Sequence, residues 1–214
     1  MNSSMIDAVL VIVLMLNLFA LGNSRILAVI RTVAMQGVLL GMLPLLLHGH
    51  LSVAIILTAL SAIILKGIII PVIMLRALRD AQIKREVEPL IGLLPSIILG
   101  ALVTAGSLLF ANHLPLSSGH EYALFVPTSI ATILVGFIIL ITRFKALSQV
   151  VGYLILENGI FIFGMLLVEA MPFVVEMGVL LDLFVAIFVI CIIVNHINRA
   201  FSSMDTRQLT SLKE

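Results

Sequence analysis

Apolar residues in this chain neither alternate with polar ones nor repeat on one face; they come in long, nearly unbroken runs. Seven runs, at about residues 5–21, 26–47, 51–75, 89–111, 122–142, 150–168 and 173–195, approach the roughly 20 mostly apolar residues that a helix needs to cross a bilayer. They lack the period of two of a barrel strand and exceed its length. The pattern predicts an all-α membrane protein, a bundle of about seven transmembrane helices. The connections are short, which predicts no extramembrane domain. The longest, 76–88, mixes both signs of charge and reads as a solvated connector or docking surface. The loop 112–121, with Pro115 and Ser117-Ser118-Gly119, reads as a turn region. It divides the chain into a four-helix part, 1–112, and a three-helix part, 113–214, and no internal repeat relates them.

Composition agrees with the runs. Of 214 residues, 62% are hydrophobic and 11% charged, against roughly half and a quarter in a soluble domain. The opening Met1-Asn2-Ser3-Ser4 lacks the positive charge of a signal peptide, so the first run is expected to be a retained helix. A net charge of +1 leaves no basic face for nucleic acid. The single cysteine, Cys191, lies in an apolar run and suggests neither a disulfide within the chain nor a metal cluster.

The few basic residues set an orientation. Arg25, then Arg76, Arg79, Lys84 and Arg85, then Arg143 and Lys145, and finally Arg199, Arg207 and Lys213 share one side of a seven-helix bundle. The other side carries Asp7, His48, His50, His113, His120, Glu121 and Glu169, with no lysine or arginine. Positive residues favour the cytoplasmic side. The N-terminus is therefore expected outside and the C-terminus inside.

Three ionisable residues fall deep within the runs: Lys66, Glu157 and Asp182. A charge at the bilayer centre costs about 2.5–3.5 kcal/mol on insertion scales, so such residues face a bundle interior or a wet cavity. At about 1.5 Å of rise per residue, all three lie within roughly one or two turns of the midplane. The short link near Met171-Pro172 makes the last two helices antiparallel neighbours, so Glu157 and Asp182 are close enough to relay a proton through water if they face each other. Burial favours the neutral form of each group and an opposite charge favours the charged one. Two readings follow. The three residues form a proton path whose protonation switches with conformation, or Lys66 pairs with a carboxylate and fixes helix packing.

Weaker candidates surround these. Pro71 lacks a backbone donor and its ring opposes the Gly67 carbonyl, which predicts a kink with a freed carbonyl beside Lys66. A hydrated pocket or plain packing would satisfy it. Glu176, one turn into the last run, suits a helix N-terminus and is a further pathway candidate. Arg31 is placed to snorkel to the inner surface. Gln36, Tyr153, Asn158 and Asn195 can bridge helices or waters, and Gly37 with Gly41 forms a close-packing face of the GxxxG type. The histidines lack ligand-like spacing, so no metal site is expected. No phosphate-binding loop, Ser/His/Asp set or iron–sulfur cysteine set occurs, which predicts neither a catalytic centre nor a cofactor in this chain.

The stretch Gly152-Tyr153-Leu154-Ile155-Leu156-Glu157-Asn158-Gly159 resembles the hydrogenase-4 component E family, membrane subunits of group 4 hydrogenase complexes of the formate hydrogenlyase type. Ser61-Ala62-Ile63-Ile64-Leu65-Lys66 with Pro71-Val72-Ile73-Met74 resembles its lysine-bearing helix, and Glu176-Met177-Gly178-Val179 with Asp182 its last helix. The tail Leu209-Thr210-Ser211-Leu212-Lys213 is similar to its C-terminal motif. The three-helix part also resembles the K subunit of complex I and the C subunit of multisubunit sodium/proton antiporters. There Glu157 matches the first of two buried glutamates on a proton path, and Asp182 stands at the second as a shorter acid. The resemblance implies a multi-pass subunit of a bacterial or archaeal plasma (inner) membrane with no redox centre of its own. It would belong to an oxidoreductase complex, hydrogenase or complex I-like. It would contact large antiporter-like subunits and the lipid bilayer, and peripheral nickel–iron and iron–sulfur subunits indirectly, and it would help conduct protons or another cation. A purely structural scaffold and a self-contained cation/proton antiporter are the alternatives.

Overall fold

A computed structural model describes residues 2–47, 53–80, 90–114 and 124–167. The seventh run, with Glu176, Asp182 and Cys191, lies outside the described residues, as do His48, His50, His120 and Asn195. The chain forms α1 (Asn2–Gly22), α2 (Ile26–Leu47), α3 (Val53–Ala62), a π-helical segment (Ile63–Ile69), α4 (Ile70–Asp80), α5 (Leu93–Asn112), α6 (Phe125–Thr142) and α7 (Ala146–Leu167). α3, the π segment and α4 run on as one span. Among the described residues, six helices are long and apolar enough to cross a membrane: Ser4–Gly22, Ile26–Leu47, Ile55–Arg79, Leu93–Asn112, Phe125–Thr142 and Leu147–Leu166.

Two boundaries differ from the runs for a physical reason. The third span continues past residue 75 because α4 becomes amphipathic: Ala77 and Leu78 are buried while Arg76 and Arg79 face outward. The sixth starts at Ala146 rather than 150, since the Lys145 carbonyl accepts from the N–H groups of Ser148 and Gln149 and begins the helix earlier.

α1, α2, α6 and α7 form the centre, with α6 against α7 as the most extensive pair. α5 lies on α1 and α6, and the third span lies on α2. Helices of 1–112 and of 113–214 thus pack together in one bundle. Outside, Met15, Leu94, Leu102, Leu109 and Ile141 present apolar side chains to the surroundings, as a bilayer requires.

Lipid supplies no hydrophobic drive between helices, so small residues that let backbones approach set the packing. A Cβ on Gly37 would stand 2.6 Å from the Lys66 Cβ, and one on Gly41 would stand 3.1 Å from the Ile63 nitrogen. A Cβ on Gly159 would lie 2.6 Å from the Ile133 nitrogen, and one on Gly152 2.8 Å from the Leu140 nitrogen. The first pair brings the π segment against α2, and the second brings α6 backbone against α7.

Three connections meet at one end of the bundle. The Arg143 guanidinium donates to the Leu21 carbonyl (2.8 Å), and the Leu90 N–H donates to the Thr142 carbonyl (2.8 Å). The α1–α2 turn, the segment entering α5 and the α6–α7 turn therefore share that end.

Candidate functional site

Lys66 stands near the middle of the third span, inside the π segment. Pro71 follows two residues after that segment ends. In an α-helix its ring would press on the Gly67 carbonyl and its missing N–H would leave that carbonyl unpaired. The wider turn moves the bonding frame instead: the Ile70 N–H reaches the Leu65 carbonyl, five residues back. Gly67, where the sequence predicts a freed carbonyl, thus lies in the same π turn as Lys66, an irregularity that recurs at functional sites.

The Lys66 ammonium lies 3.3 Å from Glu157 Oε1, with the two side chains only 8% and 6% exposed. It also stands over the Phe161 ring, 4.9 Å from its centroid. Glu157 and Phe161 are four residues apart on α7 and so share the face turned to Lys66. An aromatic face adds a favourable quadrupole to the carboxylate. The lysine reaches α7 because Gly37 lets its backbone approach α2 so closely.

Beside this pair runs a chain of neutral polar groups. Asn158 Nδ2 donates to Gln36 Oε1 (3.4 Å), Gln36 Nε2 to Asn17 Oδ1 (2.8 Å), and Asn17 Nδ2 to Thr132 Oγ1 (2.8 Å). The Thr132 hydroxyl in turn donates to the Thr128 carbonyl (2.7 Å). Every member is buried. α7, α2, α1 and α6 are thereby tied to one another in that order. A carboxylate and an ammonium can gain or lose a proton; amides and hydroxyls at this site only orient. The arrangement is a protonatable pair between the π segment and α7, with a buried chain of neutral polar groups starting at the next residue of α7.

The structure joins Lys66 to Glu157; Gly67 follows Lys66 in the π segment, and Pro71 lies in α4 just after it. Asp182 and Glu176 lie outside the described residues, so the geometry speaks only for the first pair. Gln36 and Asn158 bond across helices, Tyr153 is half-buried and Arg31 is exposed. Asn17 and Thr132 are absent from the sequence-derived candidates; an amide set within an apolar run was the available signal for Asn17. Among the described residues, no group of three or more His, Cys, Asp and Glu side chains is placed to hold a metal.

No family model matches the chain, and no solved structure does. Over 192 residues it is 30% identical to a Mycobacterium tuberculosis protein described as uncharacterized protein Rv0085, a match that covers 87% of this chain and 86% of that one. Over 155 residues it is 29% identical to hydrogenase-4 component E of Escherichia coli K12, covering 72% of this chain and 71% of that one. The hydrogenase-4 component E of Shigella flexneri matches to the same extent.

Proposed function

The chain belongs to one family with protein Rv0085 and is homologous to hydrogenase-4 component E, and from that premise we propose that it is a non-redox membrane subunit of a group 4 hydrogenase or complex I-like assembly that contributes to proton translocation. The observation that carries the proposal is the buried Lys66–Glu157 pair within two apolar spans. An ion pair in that position is expensive to insert and marks an ion or proton path. In this reading Glu157 takes up and releases the proton, Lys66 biases which form it holds, and a change in their separation couples to neighbouring subunits. Asp182 and Glu176 extend the path in the last helix, whose likeness to the complex I K subunit belongs to the same proposal. Large antiporter-like subunits are the partners. Electron transfer takes place on peripheral nickel–iron and iron–sulfur subunits. The basic connections face the cytoplasm, with the N-terminus outside, in a plasma membrane.

The test is Glu157→Gln in the assembled complex, with proton translocation and subunit composition both measured. Loss of translocation with intact assembly supports the relay. Unchanged translocation in a fully assembled complex overturns it, and loss of assembly alone points to a scaffold.

A further inference from the structure

Arg143, one of the basic connection residues that set the expected orientation, is only 2% exposed. It follows α6 in an extended conformation, φ −116° and ψ 131°. One guanidinium nitrogen donates to the Leu21 carbonyl, while the other, Nη1, is buried with no hydrogen-bond partner among the described residues. The Ser148 hydroxyl, on the first turn of α7, is buried without a partner in the same way. Both residues line one small, partly open cavity of about 10 Å³, with Ala20, Asn23, Ile26 and Val151 among the other walls.

Among the described residues, the polar walls of the cavity are donors and no carboxylate lines it. Asn23 Oδ1 already accepts from the Arg25 N–H at 2.9 Å, which leaves the Asn23 amide nitrogen as its donor. The N-terminal turn of α7 adds the positive end of a helix dipole. Burial pulls the Arg143 guanidinium below its ordinary pKa, because desolvation disfavours its charge. A water would bond these donors without matching a charge that no described residue offsets, whereas an anion does both. A cavity of this size admits a single atom-sized guest. The neighbouring Phe144 is 66% exposed beside Lys145. That places the cavity at the rim of the spans, the level of lipid headgroups.

We propose that Arg143, Ser148 and Asn23 form a seat for one anionic oxygen of a phosphate group, carried on a lipid headgroup or free in solution. The seat is independent of the Lys66–Glu157 pair, which lies deeper in the bundle on other side chains. Its test uses the full chain purified in uncharged detergent, followed by thermal unfolding. Short-chain phosphatidylglycerol, inorganic phosphate and the matching diacylglycerol are titrated separately. A rise in melting temperature with phosphatidylglycerol alone assigns the headgroup, and a rise with both phosphate compounds assigns phosphate itself; diacylglycerol has no effect. The rise disappears in Arg143→Gln. In Ser148→Ala, which leaves the Arg143 bond to Leu21 in place, the titration midpoint moves up several-fold while the unliganded melting temperature holds. No rise with either phosphate compound, or a wild-type titration in both variants, overturns the seat. Ser148→Ala decides the matter by itself if Arg143→Gln fails to fold.

Discussion

Removing one member of a buried ion pair strands the other, at a cost of about 3–5 kcal/mol, whereas replacing both by apolar residues is often neutral or stabilising. Lys66→Met alone is thus expected to lower the melting temperature of the purified chain sharply, and Lys66→Met with Glu157→Leu to recover it. The double variant keeps the fold but has no group to carry a proton, so translocation stays lost in the assembled complex. Recovery of translocation with the fold would show that the pair only packs. Gln36 is tied to both Asn17 and Asn158. Gln36→Leu removes the donor to Asn17 Oδ1 and the acceptor of Asn158 Nδ2, each at about 1–3 kcal/mol; a melting temperature within a degree or two of wild type would count against the polar chain. Lys66 and Glu157 were legible in the sequence because a charge inside an apolar run has few bland explanations. Thr132 was not, since a threonine in a membrane helix bonds its own backbone as a matter of course, and nothing local shows that Asn17 also reaches it. The burial of Arg143 was not legible either: an arginine next to a turn is ordinarily solvated, and its bond to the Leu21 carbonyl comes with the packing of α1 against α6.

At the scale of helices, glycine placement separates packing from permissiveness. A Cβ on Gly37 meets the Lys66 backbone carbon at 2.9 Å as well as its Cβ, so the third span must shift to admit it. Gly37→Ala is expected to destabilise the chain by about 1–3 kcal/mol, the usual cost of overpacking. A Cβ on Gly106 would meet nothing within 4 Å. Gly106→Ala should be neutral or stabilise slightly, since alanine is the better helix former by about 1 kcal/mol. Equal melting temperatures for the two variants would show that α2 and the π segment are not in the contact described. The sequence identified Gly37 and Gly41 as a close-packing face without indicating its partner, because a small-residue motif names a surface and not what lies on it. Pro71 predicts a kink and the structure has a π segment just before it. A proline names a backbone that cannot bond normally, and whether the helix kinks or widens depends on the neighbour it must fit.

Across the whole molecule, hydrophobic run length located six of the described spans, because in a bilayer the solvent itself sets element length. Run length says nothing of which helices touch, and the order of the bundle came from the glycines and buried amides. The proposed orientation has a direct check: in a Cys191→Ser background, single cysteines at Asn23 and Lys145 should react with an impermeant thiol reagent only from the cytoplasmic face. Labelling from outside would reverse the topology. The buried polar chain also has a temporal side. Asn17 and Gln36 can satisfy one another as soon as the first hairpin is inserted, but their remaining partners, Thr132 and Asn158, come 115 and 122 residues later. Until the ribosome has delivered those helices, the nascent hairpin holds unmatched amide groups in lipid, each exposed to quality-control proteases and insertion chaperones. A fragment ending at Asn112 should therefore be short-lived in cells, and supplying 113–214 as a separate chain should lengthen its life.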